Sequence, residues 1–140
     1  MGRINMGRVI VGGLLAGLVI NISEFVLNTF VIEKDMTAAM QALNLPPIDT
    51  AMVGCFVVLG FLLGISTVWL YAAIRPRFGA GVRTAAVAGS MVWLLAYLYP
   101  SAFMGAMQLF PRNLLIIGIV WGLPEALIAT VVGAKFYTEA

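Results

Sequence analysis

Residues 9–32 read VIVGGLLAGLVINISEFVLNTFVI, an apolar run in which 15 side chains are Leu, Ile, Val or Phe. About 20 such residues suffice for a helix to cross a hydrocarbon core roughly 30 Å thick, so the run reads as a membrane span. A cleaved leader has a shorter apolar core and a small-residue cleavage site; this run instead passes through Asn21, Ser23 and Glu24 and continues to Phe30, and is expected to be retained. Three further runs follow it, at about residues 50–74, 84–103 and 113–136. Arg75-Pro76-Arg77 is expected to stop the second, Pro100 to kink or end the third near its far interface, and Pro111-Arg112 to precede the fourth.

Composition agrees with four spans. The chain has 140 residues, is 62% apolar and carries eight basic and six acidic side chains, with a mean hydropathy of +1.04. A water-soluble domain of this size cannot hide that much apolar surface. The absence of His excludes imidazole metal sites, His-ligated haem and a Ser-His-Asp relay. One cysteine, Cys55, expected to lie buried in the second span, excludes an intrachain disulfide and any C-x-x-C motif. With a net charge of only +2, and basic residues that flank the apolar runs, no nucleic-acid partner is expected.

Those basic residues set an orientation. Arg3, Arg8, Arg75, Arg77, Arg83 and Lys135 fall on one side of the spans, Lys34 and Arg112 on the other. The bias predicts cytoplasmic N and C termini in a membrane of the bacterial inner (cytoplasmic) type. Tyr71 and Tyr137, near span ends, fit interfacial aromatic belts. The longest connection, from Glu33 to Asp49, is then external; Asp35 is expected to cap a short amphipathic helix with Met36, Met40 and Leu43 on one side, ended by Pro46-Pro47. No linker or low-complexity tract divides the chain. The expected fold is an all-α integral membrane protein, a single four-helix transmembrane bundle with one short external helix between spans one and two.

The polar residues within the spans carry the functional reading. Gly17, Asn21, Glu24 and Asn28 fall within an arc of about 60° at 100° per residue, so they share one helix face. A charge at the membrane centre costs roughly 2.5 to 3.5 kcal/mol, while each large apolar residue returns about 0.3 to 0.6 kcal/mol, so insertion survives and the acid must face protein or water. Glu125 follows Pro124 in the fourth span, on a face with Gly118, Gly122, Ala129 and Gly133. At 1.5 Å rise per residue, Glu24 lies about 12 Å and Glu125 about 18 Å from the outer ends of their helices, and whether they touch is left open. The second span offers a stripe of Gly60, Gly64, Thr67 and Tyr71, the third one of Gly89, Ser90, Trp93, Tyr97 and Pro100. If these stripes face inward, Thr67, Tyr71, Ser90, Trp93 and Tyr97 line a pore or pocket beside Glu24, Asn21, Asn28 and Glu125. Pairs such as Gly60/Gly64 serve helix packing in this reading ahead of dimerisation. The methionines Met36, Met40, Met52, Met104 and Met107 are taken as adaptable apolar packing and not as a Cu(I) site, since no His accompanies them.

In span count and in the acid of its first span, Glu24, the chain is similar to the small multidrug resistance transporters. It departs from them in its one-sided charge bias, its long loop between the first two spans and its second acid, Glu125. From the residues themselves, the expected function is transport or permeation of a proton, a cation or a cationic solute on Glu24, assisted by Asn21, Asn28 and Glu125. The alternative is a non-catalytic accessory or assembly subunit of a larger membrane complex, in which the same polar groups only lock helices together. Enzymatic chemistry ranks third, because no nucleophile, metal or cofactor site is recognisable. The partners expected are the lipid bilayer and either a homo-oligomer or a larger membrane complex; no cofactor and no metal are expected.

Overall fold

The computed structural model describes residues 2–140. Every regular element among them is helical. Four helices are long and apolar enough to cross a membrane, α1 (Met6–Val31), α3 (Thr50–Phe78), α4 (Val82–Ala106) and α5 (Arg112–Lys135), with the short α2 (Glu33–Ala42) between the first two. This suggests an integral membrane protein. The spans alternate in direction, so the two termini and the turn at Gly79–Gly81 share one end of the bundle, the terminal end. The other, the α2 end, holds α2 and the turn between α4 and α5.

Helix α1 packs against α3 and α5, while α4 closes the bundle on their far side. Close backbone approach makes this arrangement. A Cβ on Gly64 would collide with the Gly17 amide and lie 2.6 Å from its Cα, and one on Gly17 would lie 2.7 Å from the Phe61 Cα. Between α1 and α5, a Cβ on Gly12 would stand 2.5 Å from the Gly133 carbonyl oxygen. Around these contacts Val9, Ala16, Val68, Ala85, Ala88 and Ala129 form a fully buried core. Gly60, Gly64, Thr67 and Tyr71 all face inward, as the stripe on the second span implied.

At the terminal end the chain ties itself together. The Tyr137 ring meets Tyr71 edge to face at 6.0 Å, Arg75 lies 5.5 Å over the same Tyr137 ring, and Arg75 pairs with Glu139 at 3.7 Å. The Tyr137 hydroxyl accepts from the Asn5 amide at 3.4 Å. Tyr71 and Tyr137 are therefore buried against each other and do not form a lipid-facing belt.

Helix ends differ from the sequence reading in instructive ways. Arg75-Pro76-Arg77 does not stop α3, which runs on to Phe78; Pro76 forfeits a single backbone bond near the helix end, and the stop is Gly79 at φ +87°. Nor does Pro100 end α4. Residues 94–98 widen into a π-helical turn in which the Tyr99 amide bonds the Leu94 carbonyl, so the ladder already shifts just before the residue that has no N–H. A second wide turn occupies residues 27–31 of α1, where the Ile32 amide donates to the Leu27 carbonyl at 3.0 Å.

Helix α2 starts at Glu33 and not after a cap by Asp35: both acids sit in its first turn, where they complement the free amides. It ends before the prolines, at Asn44 with φ +54°. Ala39 and Met36 pack on Leu27, Ile32 and Leu114. Leu43, at the unwinding end, is exposed and leaves the expected apolar face.

The two ends of the bundle are unequal. Along the first third of α3, residues 50–59, every residue except Met52 is exposed, among them Cys55, which was expected to be buried. The bundle is closed at the terminal end and splayed at the α2 end.

The glycine contacts generate a prediction. Gly64→Ala should lower the unfolding free energy in mixed detergent micelles by about 1–3 kcal/mol, through overpacking that outweighs the gain in helix propensity. Gly54→Ala, at a position with open space around it, should be neutral or slightly stabilising in the same titration.

Candidate functional site

Two acids separated by a hundred residues of chain meet between α1 and α5. The Glu24 carboxyl lies within hydrogen-bonding reach of Glu125. Glu125 is only 4% exposed, whereas Glu24 is half-buried. The rotation that brings them together is set by the packing already described, because Gly17, two turns before Glu24, is pinned to α3 and Ala129 and Gly133, beyond Glu125, are pinned against α1.

Each carboxyl receives one donor, and each donor sits on one of the two wide turns. Asn28, in the wide turn of α1, donates from Nδ2 to Glu24 Oε2 at 3.0 Å and to the Glu24 backbone carbonyl at 2.8 Å. Tyr97, in the wide turn of α4, donates its hydroxyl to Glu125 Oε1 at 2.5 Å. Gly122 makes room for that contact: a Cβ there would overlap the Tyr97 ring, lying 2.7 Å from its Cγ. A π turn re-aims the side chains it carries relative to the α-helical ladder, which is how these two enter the site.

Two indoles brace the surroundings. Trp121 Nε1 donates to Ser23 Oγ at 2.9 Å and joins α5 to α1. Trp93 Nε1 donates to the Ile119 carbonyl at 2.8 Å, in the turn of α5 whose ladder Pro124 interrupts. Ser23 stands beside Glu125, yet no hydrogen bond from any described residue reaches Glu125 Oε2. Neither acid is in an ion pair; the one salt bridge among the described residues is Arg75–Glu139. Two neighbouring carboxyls, one holding a buried oxygen without a donor, thus have no positive side chain beside them.

The structure sorts the sequence-derived candidates. Glu24, Asn28, Tyr97 and Glu125 come together, with Trp93 behind them. Asn21 acts as a clamp, donating to Gly17 O at 3.0 Å and across to Val57 O of α3 at 3.2 Å. Thr67 bonds its own helix at Leu63 O, and the Tyr71 hydroxyl accepts from the Gly81 amide at the terminal end, so neither reaches the acids. Ser90 is exposed; Gly89 beside it faces α5, where its missing Cβ admits Thr130 and the Ala126 carbonyl. Ser23 and Trp121 were not among the expected site residues, although each lies within a turn of an acid. No group of three or more His, Cys, Asp or Glu side chains gathers among the described residues.

Loss of the donor on Glu125 should be measurable. Tyr97→Phe should lower unfolding free energy by about 1–3 kcal/mol, the penalty for stripping a buried acceptor of its partner. Tyr99→Phe, at a ring that is 71% exposed, should leave it unchanged within error in the same titration.

Neither a protein-family model, nor a curated protein, nor a solved structure matches this chain.

Proposed function

We propose that the protein is a small membrane transport or permeation protein in which Glu24 and Glu125 together bind a proton or a small cation at membrane depth. The observation that carries the reading is the meeting of two carboxyls on helices long and apolar enough to cross a membrane, one carboxyl being 4% exposed and holding an oxygen without a donor. Intramembrane acids are costly to insert and mark ion pathways more often than they serve packing. Asn28 and Tyr97 hold the two carboxyls in place, and the cation exchanges between them. With Arg3, Arg8, Arg75, Arg77, Arg83 and Lys135 cytoplasmic, both termini lie in the cytoplasm of a cell bounded by an inner-type membrane, and α2 lies on the outer surface.

A second reading, an accessory subunit of a larger membrane complex, draws on the first third of α3, where every residue from 50 to 59 except Met52 is exposed. Native mass after gentle extraction separates the two: stoichiometric foreign subunits support the accessory role, while the chain alone or as a small homo-oligomer supports transport.

The direct test is flux in proteoliposomes, followed with a pH-sensitive dye for protons and a radioactive tracer for rubidium. Glu24→Gln and Glu125→Gln should each lower the flux at least tenfold, with folded yield near that of the native chain, because the amide keeps the shape and loses the charge. Glu24→Leu should lower folded yield as well. Native flux in both Gln variants would remove the carboxyl pair from the transport reading.

A further inference from the structure

Beneath α2, between the adjoining ends of α1 and α3, lies a cleft of about 520 Å3. Its wall includes Asn28 and Thr29 of α1, Glu33, Thr37 and Gln41 of α2, and Val53 of α3. Glu33 is the one charged side chain in that wall. The volume lies within the range of ligand clefts, and Met36, Met40 and Ile48 are among the apolar residues that complete a wall of mixed polarity. Asn28 belongs to both places: it lines the cleft and its amide donates to Glu24 Oε2.

The opposite direction is shut. From Glu125 toward the terminal end, Ala126, Ala129, Thr130 and Gly133 are all buried, and the Thr130 hydroxyl is already spent on the Ala126 carbonyl at 2.6 Å. The facing helices there contribute Ala16 and Val68, also without exposure, and Gly12 approaches Gly133 too closely to admit a methyl group. The buried hydroxyls of Thr67 and Thr130 on that side are each spent on a carbonyl of their own helix.

We infer that this cleft is the access vestibule of the Glu24–Glu125 pair, taking up a small monovalent cation, the proton included, from the α2 side, with Glu33 drawing cations to its mouth and Asn28 as the positioning residue at its inner end. The inference rests on the reading of the pair as a cation site and adds its sidedness. The structure is then the state open to the α2 side, with the glycine-packed terminal half as the closed gate.

The test uses the full chain in proteoliposomes, with Cys55→Ser as background because Cys55 is exposed and is the single cysteine. Thr37→Cys places a thiol in the cleft wall and Ala80→Cys places one in the turn at the terminal end, both at exposed positions. Each variant is treated on both membrane faces with a trimethylammonium methanethiosulfonate, labelling is verified by mass, and proton and rubidium flux are compared before and after. The expected result is complete labelling of both, at least a fivefold fall in flux for Thr37→Cys and no change for Ala80→Cys. Failure of Thr37→Cys to label, or unchanged flux after complete labelling while Glu24→Gln remains inactive, overturns the vestibule and leaves the carboxyl pair standing. Native flux in Glu24→Gln and Glu125→Gln overturns the pair, and the vestibule with it. Glu33→Gln gives a second reading: it should raise the cation concentration for half-maximal flux at least threefold at low ionic strength, and an unchanged value removes Glu33 from the proposal.

Discussion

At Gly17 and Gly64 two helix backbones approach so closely that neither position has room for a methyl group. Helices in lipid gain little by hiding apolar surface from each other, since lipid tails are as apolar as side chains, so association rests on close packing and polar contacts. Here the small residues of α1 serve two partners at once: Gly13 and Gly17 admit α3, while Gly12 and Ala16 admit α5. With α1 gripped from both sides its rotation is fixed, and fixed rotation is what points Glu24 at Glu125. A looser α1 would part the two acids.

The site inverts the usual logic of a buried polar network. Most such networks satisfy every acceptor and thereby stiffen the core. In this one, Asn28 and Tyr97 each satisfy one carboxyl oxygen and stop there, leaving Glu125 Oε2 without a donor. Both donors ride on widened helical turns, elements with a tendency to occur at functional positions. Two widened turns and an incomplete network thus meet at one pair of acids. The remaining polar contacts of the spans, from Asn21 to Val57 and from Trp121 to Ser23, are complete and hold helices together.

The number of spans, their order and the inward face of α3 were legible in the sequence, because hydropathy and small-residue spacing are properties of single helices; on α1 and α5 the faces hold except at Asn28, which is exposed, and Gly118, which has open space beside it. The two acids were visible too. What a helical wheel cannot carry is the break in its own period. Ser90 falls on the same computed stripe as Trp93 and Tyr97, yet the widened turn at residues 94–98 offsets the stripe, so Tyr97 reaches Glu125 while Ser90 faces outward. Pro100 was the one available signal for that offset, and it reads equally well as a stop or a kink. Cys55 escaped for a different reason. Its exposure follows from how the first turns of α3 stand relative to the other helices, which the pattern of a single helix does not carry.

That splayed end ties the protein to its solvent. Helix α3 has 29 residues and a length of about 43 Å, against roughly 30 Å for a typical hydrocarbon core, and its last turn carries Arg75 and Arg77. Its second half is held by Gly60 and Gly64, whereas residues 50–59, which reach the cleft wall at Val53, are the least held part of the helix. A mismatch between helix and bilayer would therefore act first on the end of α3 that borders the cleft, which makes lipid thickness a lever on the cleft that needs no contact with a ligand.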